Sequence, residues 1–270
     1  MIFYFVLILG FLWLVFGFYL YRLKRALDAD NVKNLDKYLN NKKLFLKTRF
    51  GHFGYSPLHY SIIFNKSNSF DYLTSNRLFI NDKTNLAGKS ALHLAVSIGD
   101  IPKCLKLIES GADLNCVDDI QNHPIHYAAE NGNTVLVQTL KSKGAKVDNV
   151  VLISLGDVQA IKENIRNKEK TRFSYLNIAA VNNQPEIIQY LVSLGYCPNE
   201  LDNYGLTPLI NTILKDSYES FLEILKTKVE VNKKDSFGNT ALDYSVEENL
   251  EVYVSKLIES GAEIRGEFNQ

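Results

Sequence analysis

Gly54-Tyr55-Ser56-Pro57-Leu58-His59, Gly88-Lys89-Ser90-Ala91-Leu92-His93 and Asn122-His123-Pro124-Ile125-His126 are three versions of one short phrase. The phrase returns as Ser174-Tyr175-Leu176-Asn177, Gly205-Leu206-Thr207-Pro208-Leu209 and Gly238-Asn239-Thr240-Ala241-Leu242. Aligned on Ser56, Ser90, His123, Ser174, Thr207 and Thr240, the steps are 34, 33, 51, 33 and 33 residues. A fixed period of this size marks a repeat array, in which each repeat buries its apolar face only by stacking on the next.

Working outward from the phrase, each position has a physical task. Ser or Thr caps a helix through its side-chain oxygen, and Pro is tolerated in the first turn because no intrahelical donor is needed there. Two residues later stands an apolar anchor, Leu58, Leu92, Ile125, Leu176, Leu209 or Leu242. Five residues after the cap comes Ser61, Ala95, Ala128, Ala179, Thr212 or Ser245, small enough for the neighbouring repeat to pack closely. Nine residues after it comes Asn65, Gly99, Gly132, Asn183, Asp216 or Asn249, types that accept the left-handed conformation ending a helix. A second helix follows with an apolar stripe: Phe70 and Leu73, Cys104 and Leu107, Val137 and Leu140, Ile188 and Leu191, Phe221 and Ile224, Val254 and Leu257. Gly111, Gly144, Gly195 and Gly261 close that helix, while Arg77 and Lys228 depart from the pattern.

The whole phrase resembles the ankyrin family, whose signature is Thr-Pro-Leu-His followed by small residues. The expected fold is an all-α repeat solenoid, an ankyrin stack of helix-turn-helix repeats with short hairpin fingers, preceded by one transmembrane helix. Residues 51–146 then hold three repeats and residues 171–270 three more, including a C-terminal cap. The 51-residue step leaves a shortened repeat at 147–170, with its inter-helix turn at Gly156-Asp157 and Ile161 in the core. Because Lys143-Gly144-Ala145 runs directly into Val147-Asp148, this repeat has no room for a finger, and the stack is expected to bend or change stagger there. Extrapolated backwards, the pattern places Leu23, Ala26, Asp30-Asn31, Leu35 and Leu39 in an N-terminal capping repeat, residues 22–50.

Residues 1–21 carry no charge, and fourteen of them are Leu, Ile, Phe or Val. A helix of this length is roughly 31 Å long, close to the ~30 Å hydrocarbon thickness. The start lacks a basic residue and the exit Tyr19-Leu20-Tyr21-Arg22 lacks a small-x-small site, so an uncleaved signal-anchor in a lipid bilayer is expected rather than a removed leader. Arg22, Lys24 and Arg25 follow the span, which places the repeats on the cytoplasmic side. With no linker before Leu23, the array would stand directly on the membrane.

The charges balance, thirty basic against thirty acidic, which excludes a global field for nucleic acid. Cys104, Cys116 and Cys197 show neither Cys-x-x-Cys spacing nor an even count, so no disulfide framework or zinc knuckle is expected. His59, His93 and His126 fill the last place of the signature, where the resemblance implies structural hydrogen bonding; His123 and His126 share a helix without a third ligand. No Gly-x-x-x-x-Gly-Lys loop, Gly-x-Ser-x-Gly elbow or His-Glu-x-x-His helix occurs, so no catalytic residue, cofactor, metal or small-molecule substrate is assigned.

The recognition surface implied by the resemblance lies on the finger tips and the exposed side of the first helices. Apolar residues are placed there: His52, Phe53, Tyr55, Leu86, Ile120, Phe173, Tyr204, Leu206 and Phe237 near the tips, and Ile63, Phe64, Ile98, Val181 and Leu214 on the helices. An apolar strip of this kind marks a partner site, and the partner is another protein. The expected function is a membrane-anchored adaptor. Two alternatives are an inhibitory protein masking a toxin or enzyme at the membrane, and a structural assembly formed by self-association of the anchor.

Overall fold

A computed structural model describes residues 17–39, 48–168, 171 and 173–263. Residues 1–16, the greater part of the expected membrane span, lie outside the described residues. Among the described residues there are sixteen helices, and no helix is long and apolar enough to cross a membrane. The chain divides into two compact units, residues 1–124 and 125–270.

In the first unit, helix α1 (residues 17–28) and α2 (Val32–Leu39) form the N-terminal pair. Leu23, Ala26, Leu27, Leu35 and Leu39 are buried, so α1 is already part of the packed array. Three fastenings hold it. The Tyr19 hydroxyl donates to the Tyr38 carbonyl, the Tyr60 hydroxyl donates to the Asp28 carboxylate, and Lys66 Nζ donates to the Asp28 carbonyl at 2.7 Å. Two full repeats follow, α3 (Pro57–Ile63) with α4 (Ser67–Ser75) and α5 (Ala91–Ile98) with α6 (Ile101–Glu109). Ser56 and Ser90 sit in extended backbone and close capping boxes with His59 and His93.

In the second unit, α7 (Pro124–Glu130) begins at its edge and is followed by α8 (Thr134–Ser142), α9 (Asn149–Leu155) and α10 (Val158–Asn164). Then come α11 (Tyr175–Val181), α12 (Pro185–Ser193), α13 (Pro208–Leu214), α14 (Tyr218–Leu225), α15 (Ala241–Glu247) and α16 (Glu251–Glu259). Thr207 and Thr240 cap α13 and α15 through their hydroxyls. Ser174 does not cap α11 in this way; its hydroxyl accepts instead from Asn177 Nδ2 at 2.9 Å. In α9 and α10 the caps are Asp148 and Asp157, and Val150, Val151, Ile153 and Ile161 are fully buried.

The turn between paired helices is left-handed at Asp30, Asn65, Gly99, Gly132, Asn183, Asp216 and Asn249. At Asp30, Asn65, Asn183 and Asp216 the side chain offsets the backbone strain by reaching the second helix of the following repeat. The Asp30 carboxylate accepts from the Ser69 amide at 2.7 Å, Asn183 Oδ1 from the Ser220 amide at 3.0 Å, and Asp216 from the Tyr253 hydroxyl at 2.9 Å. Each bond caps an otherwise orphaned helix N-terminus or ties a buried aromatic.

Candidate protein-binding surface

The fingers are built from side chain to backbone. In the second unit Asp202 Oδ1 accepts from the Tyr204 and Leu206 amides, and Asp235 Oδ1 from the Phe237 and Asn239 amides, all at 2.8–2.9 Å. In the first unit Asp118 Oδ1 does the same for Ile120 and Asn122. Each aspartate stands five residues before its cap position, and two residues later the chain turns an apolar side chain outwards. Ile120, Tyr204 and Phe237 are 60%, 55% and 72% exposed. Thr84 holds the finger of Leu86 by accepting from the Lys89 amide. Sequence reasoning found the tips and missed these anchors, although the fixed five-residue spacing was available to it.

Within the first unit neighbouring fingers are linked by backbone bonds, Asn85 N–H to the Phe53 carbonyl and Asp119 N–H to the Ala87 carbonyl. Phe53 is exposed and stacks on half-buried Tyr55 at 5.5 Å, with exposed His52 beside it. On the helix side Phe64 and Ile98 are exposed and Ile63 is half-buried. This unit therefore presents Phe53, Phe64, Leu86, Ile98 and Ile120 to solvent. The second unit presents Tyr204, Leu214 and Phe237, with Leu206 half-buried.

Two expected members of the strip are corrected. Phe173 and Val181 are buried, at 6% and 8% exposure. Phe173 meets the edge of the His126 ring at 5.0 Å. Val181 lies where the C-terminal ends of α7 and α11 meet: Asn182 Nδ2 donates to the Ala129 carbonyl at 2.7 Å, and a Cβ on Gly132 would come within 2.7 Å of the Val181 carbonyl. The two first helices touch past the shortened repeat between them, and that contact covers both side chains.

The signature histidines bridge repeats. The Ser56 amide donates to His59 Nδ1, which leaves Nε2–H to donate to the Lys89 carbonyl at 3.0 Å. His93 repeats the arrangement with Ser90 and the Asn122 carbonyl. Burial pushes the His59 imidazole down to about 4 and lowers that of His93, consistent with neutral rings. His126 Nε2 lies 2.8 Å from the Asp148 carboxylate, the cap of α9. Asn177 replaces histidine in the next repeat and donates to the Glu200 carbonyl at 3.0 Å. A second bridge escaped the sequence reading: Asn81, Asn199 and Asn232 each accept from an amide and donate to a carbonyl of the following repeat.

Burial raises the Cys104 thiol to about 12 and also raises Cys116, so neither is a ready thiolate. Among the described residues no group of three His, Cys, Asp or Glu side chains is placed to hold a metal.

The profile described as ankyrin repeats (three copies) matches residues 24–118, 78–151 and 176–267. The chain belongs to the ankyrin-repeat family, whose fold is a scaffold for protein–protein interaction. It is 36% identical over 115 residues to the ankyrin repeat protein FPV244 of fowlpox virus (strain NVSL), a match covering 38% of this chain and 17% of that protein. It is 28% identical over 154 residues to the human transient receptor potential cation channel subfamily A member 1, covering 50% of this chain and 14% of the channel. The chain thus spans less than a fifth of the length of either relative.

Proposed function

We propose that this protein is an adaptor that grips another protein through its finger tips and first helices, and that residues 1–21 hold it at a membrane. The observation that carries the gripping role is the set of exposed apolar tips, four of which, Leu86, Ile120, Tyr204 and Phe237, are turned outwards on fingers tied by their own aspartate or threonine. Exposed aromatic and aliphatic side chains on a rigid base lose little conformational freedom when a partner covers them, which favours binding. The anchor reading rests on the uncharged run of residues 1–21 followed by Arg22, Lys24 and Arg25, and on the packing of α1 into the first repeats. An anchor so attached confines the surface to the bilayer and raises its effective concentration towards a membrane-associated client.

The test is affinity capture with the detergent-solubilised full chain, comparing the natural protein with the Phe53→Ser, Phe64→Ser, Phe237→Ser variant. Loss of a captured protein at unchanged helicity supports the reading, and unchanged capture overturns it. Assaying the captured protein with and without the chain separates scaffolding from inhibition. Full activity of alkaline phosphatase fused to the C-terminus would overturn the cytoplasmic placement.

A further inference from the structure

The charges of the chain balance in total but not in place. Residues 22–49 carry nine basic and three acidic side chains, whereas residues 51–270 carry 21 basic and 27 acidic. In the N-terminal helix pair all three carboxylates turn towards the following repeat. Asp28 accepts from the Tyr60 hydroxyl and pairs with Lys24 at 3.0 Å; Asp30 accepts from the Ser69 and Asn68 amides at 2.7 and 3.0 Å; Asp36 accepts from the Tyr72 hydroxyl at 2.7 Å. Arg22, Arg25, Lys33 and Lys37 are exposed, and no carboxylate among the described residues pairs with them.

Helix α2 runs back alongside α1, because the Tyr38 carbonyl accepts from the Tyr19 hydroxyl and the two rings meet edge to face at 5.3 Å. The last turn of α2 therefore lies level with residue 19, inside the uncharged run of residues 1–21. At about 1.5 Å per residue, Lys37 stands within roughly 2 Å of that level, and Arg22, Lys33 and Arg25 about 5, 8 and 9 Å beyond it. All four lie within about one Debye length of the plane where the run ends. Lys33 and Lys37 share one exposed face of α2, four residues apart, and Arg22 and Arg25 stand three apart on α1. A single phosphate would need donors converging on one point, and these four side chains are spread over two helices. The acidic excess of residues 51–270 opposes a nucleic acid spreading along the repeats. A layer of anions at the end of the apolar run satisfies the arrangement.

We infer that Arg22, Arg25, Lys33 and Lys37 form a docking face for the headgroups of anionic phospholipids, which seats the first repeat on the bilayer. This rests on the anchor reading above and adds lipid selectivity to it. The full chain is reconstituted into nanodiscs of phosphatidylcholine alone, or with about 30% phosphatidylglycerol, an anionic lipid. Acetylation of Lys33 and Lys37 by a water-soluble amine reagent is followed by mass spectrometry, with exposed Lys226 of the second unit as internal reference. Relative to Lys226, both lysines should react about fivefold more slowly in the anionic discs, the scale of one basic side chain at such a surface, and about 0.5 M salt should restore the rate. In Arg22→Gln, Arg25→Gln the protection should fall at least about twofold, because the four charges hold the headgroups jointly. Equal rates in the two discs, protection that salt leaves intact, or unchanged protection in the arginine variant would overturn the inference. So would equal protection in phosphatidylcholine discs on adding inorganic phosphate or a single-stranded oligonucleotide, which would assign the face to a soluble anion. A chain that enters both discs and shows equal rates sinks this inference alone; one that enters neither sinks the anchor reading and this inference with it.

Discussion

At the scale of single residues, the signature histidine is a neutral two-way connector, and Asn177 shows that a side-chain amide can stand in for it. His59→Asn should therefore cost less than about 1 kcal/mol, while His59→Ala orphans a buried carbonyl and should cost roughly 2 kcal/mol. The pH dependence follows from burial. Below its ordinary 6.5 the unfolded chain protonates His59, but the folded chain does not until about 4. Stability is thus insensitive to this group above 6.5, falls as pH drops from 6.5 to about 4, and is level again below, a loss of at most about 3 kcal/mol. His93 acts in the same direction. Urea denaturation across that window should show a shallower fall in His59→Asn than in the natural protein. The hydrogen-bonding role of these histidines was implied by the ankyrin resemblance. Which carbonyl they reach was not, since that lies about thirty residues away.

At the scale of elements, caps and left-handed turns set the helix ends, and both are written locally. Gly132 combines a φ of +70° with the Val181 carbonyl where its Cβ would go. Gly132→Ala should lower stability by at least about 2 kcal/mol, from the left-handed penalty plus the clash. Gly195 has open space around it at φ +89°, so Gly195→Ala should cost only about 1 kcal/mol. Thermal unfolding of the two variants distinguishes a contact from a conformational preference. In the fingers, Asp118→Ala removes the acceptor for two amides, and hydrogen exchange at Ile120 and Asn122 should quicken by at least about tenfold, the scale of one lost hydrogen bond. The apolar tips were readable as apolar residues standing just before each cap. Phe173 and Val181 read identically and are buried, because exposure there depends on where α7 and α11 meet rather than on their own neighbours.

At the scale of the whole molecule, each repeat is stabilised chiefly by the one before and the one after. In the second unit the weakest link in pattern, α9 with α10, is nevertheless fully packed around Ile161. Ile161→Ala should cost about 3 kcal/mol and broaden urea denaturation as the repeats on either side lose their shared interface. A single sharp transition of unchanged slope would contradict that nearest-neighbour account. In the first unit the buried face of α1 makes residues 22–28 part of the array, so truncation at residue 28 should destabilise α3 and α4.

The sequence by itself determined the repeat period, the order of the helices, the caps at Ser56, Ser90, Thr207 and Thr240, and the turns between paired helices. These depend on contacts within about nine residues, and each demands a distinctive side chain. Only the tertiary structure decided which apolar side chains remain exposed, how α7 meets α11 past the shortened repeat, and that the Asn203 side chain of one finger reaches Glu130, 73 residues away. Burial and electrostatic fields are set by distant segments brought together in stacking, and no single stretch of the chain encodes its own surroundings.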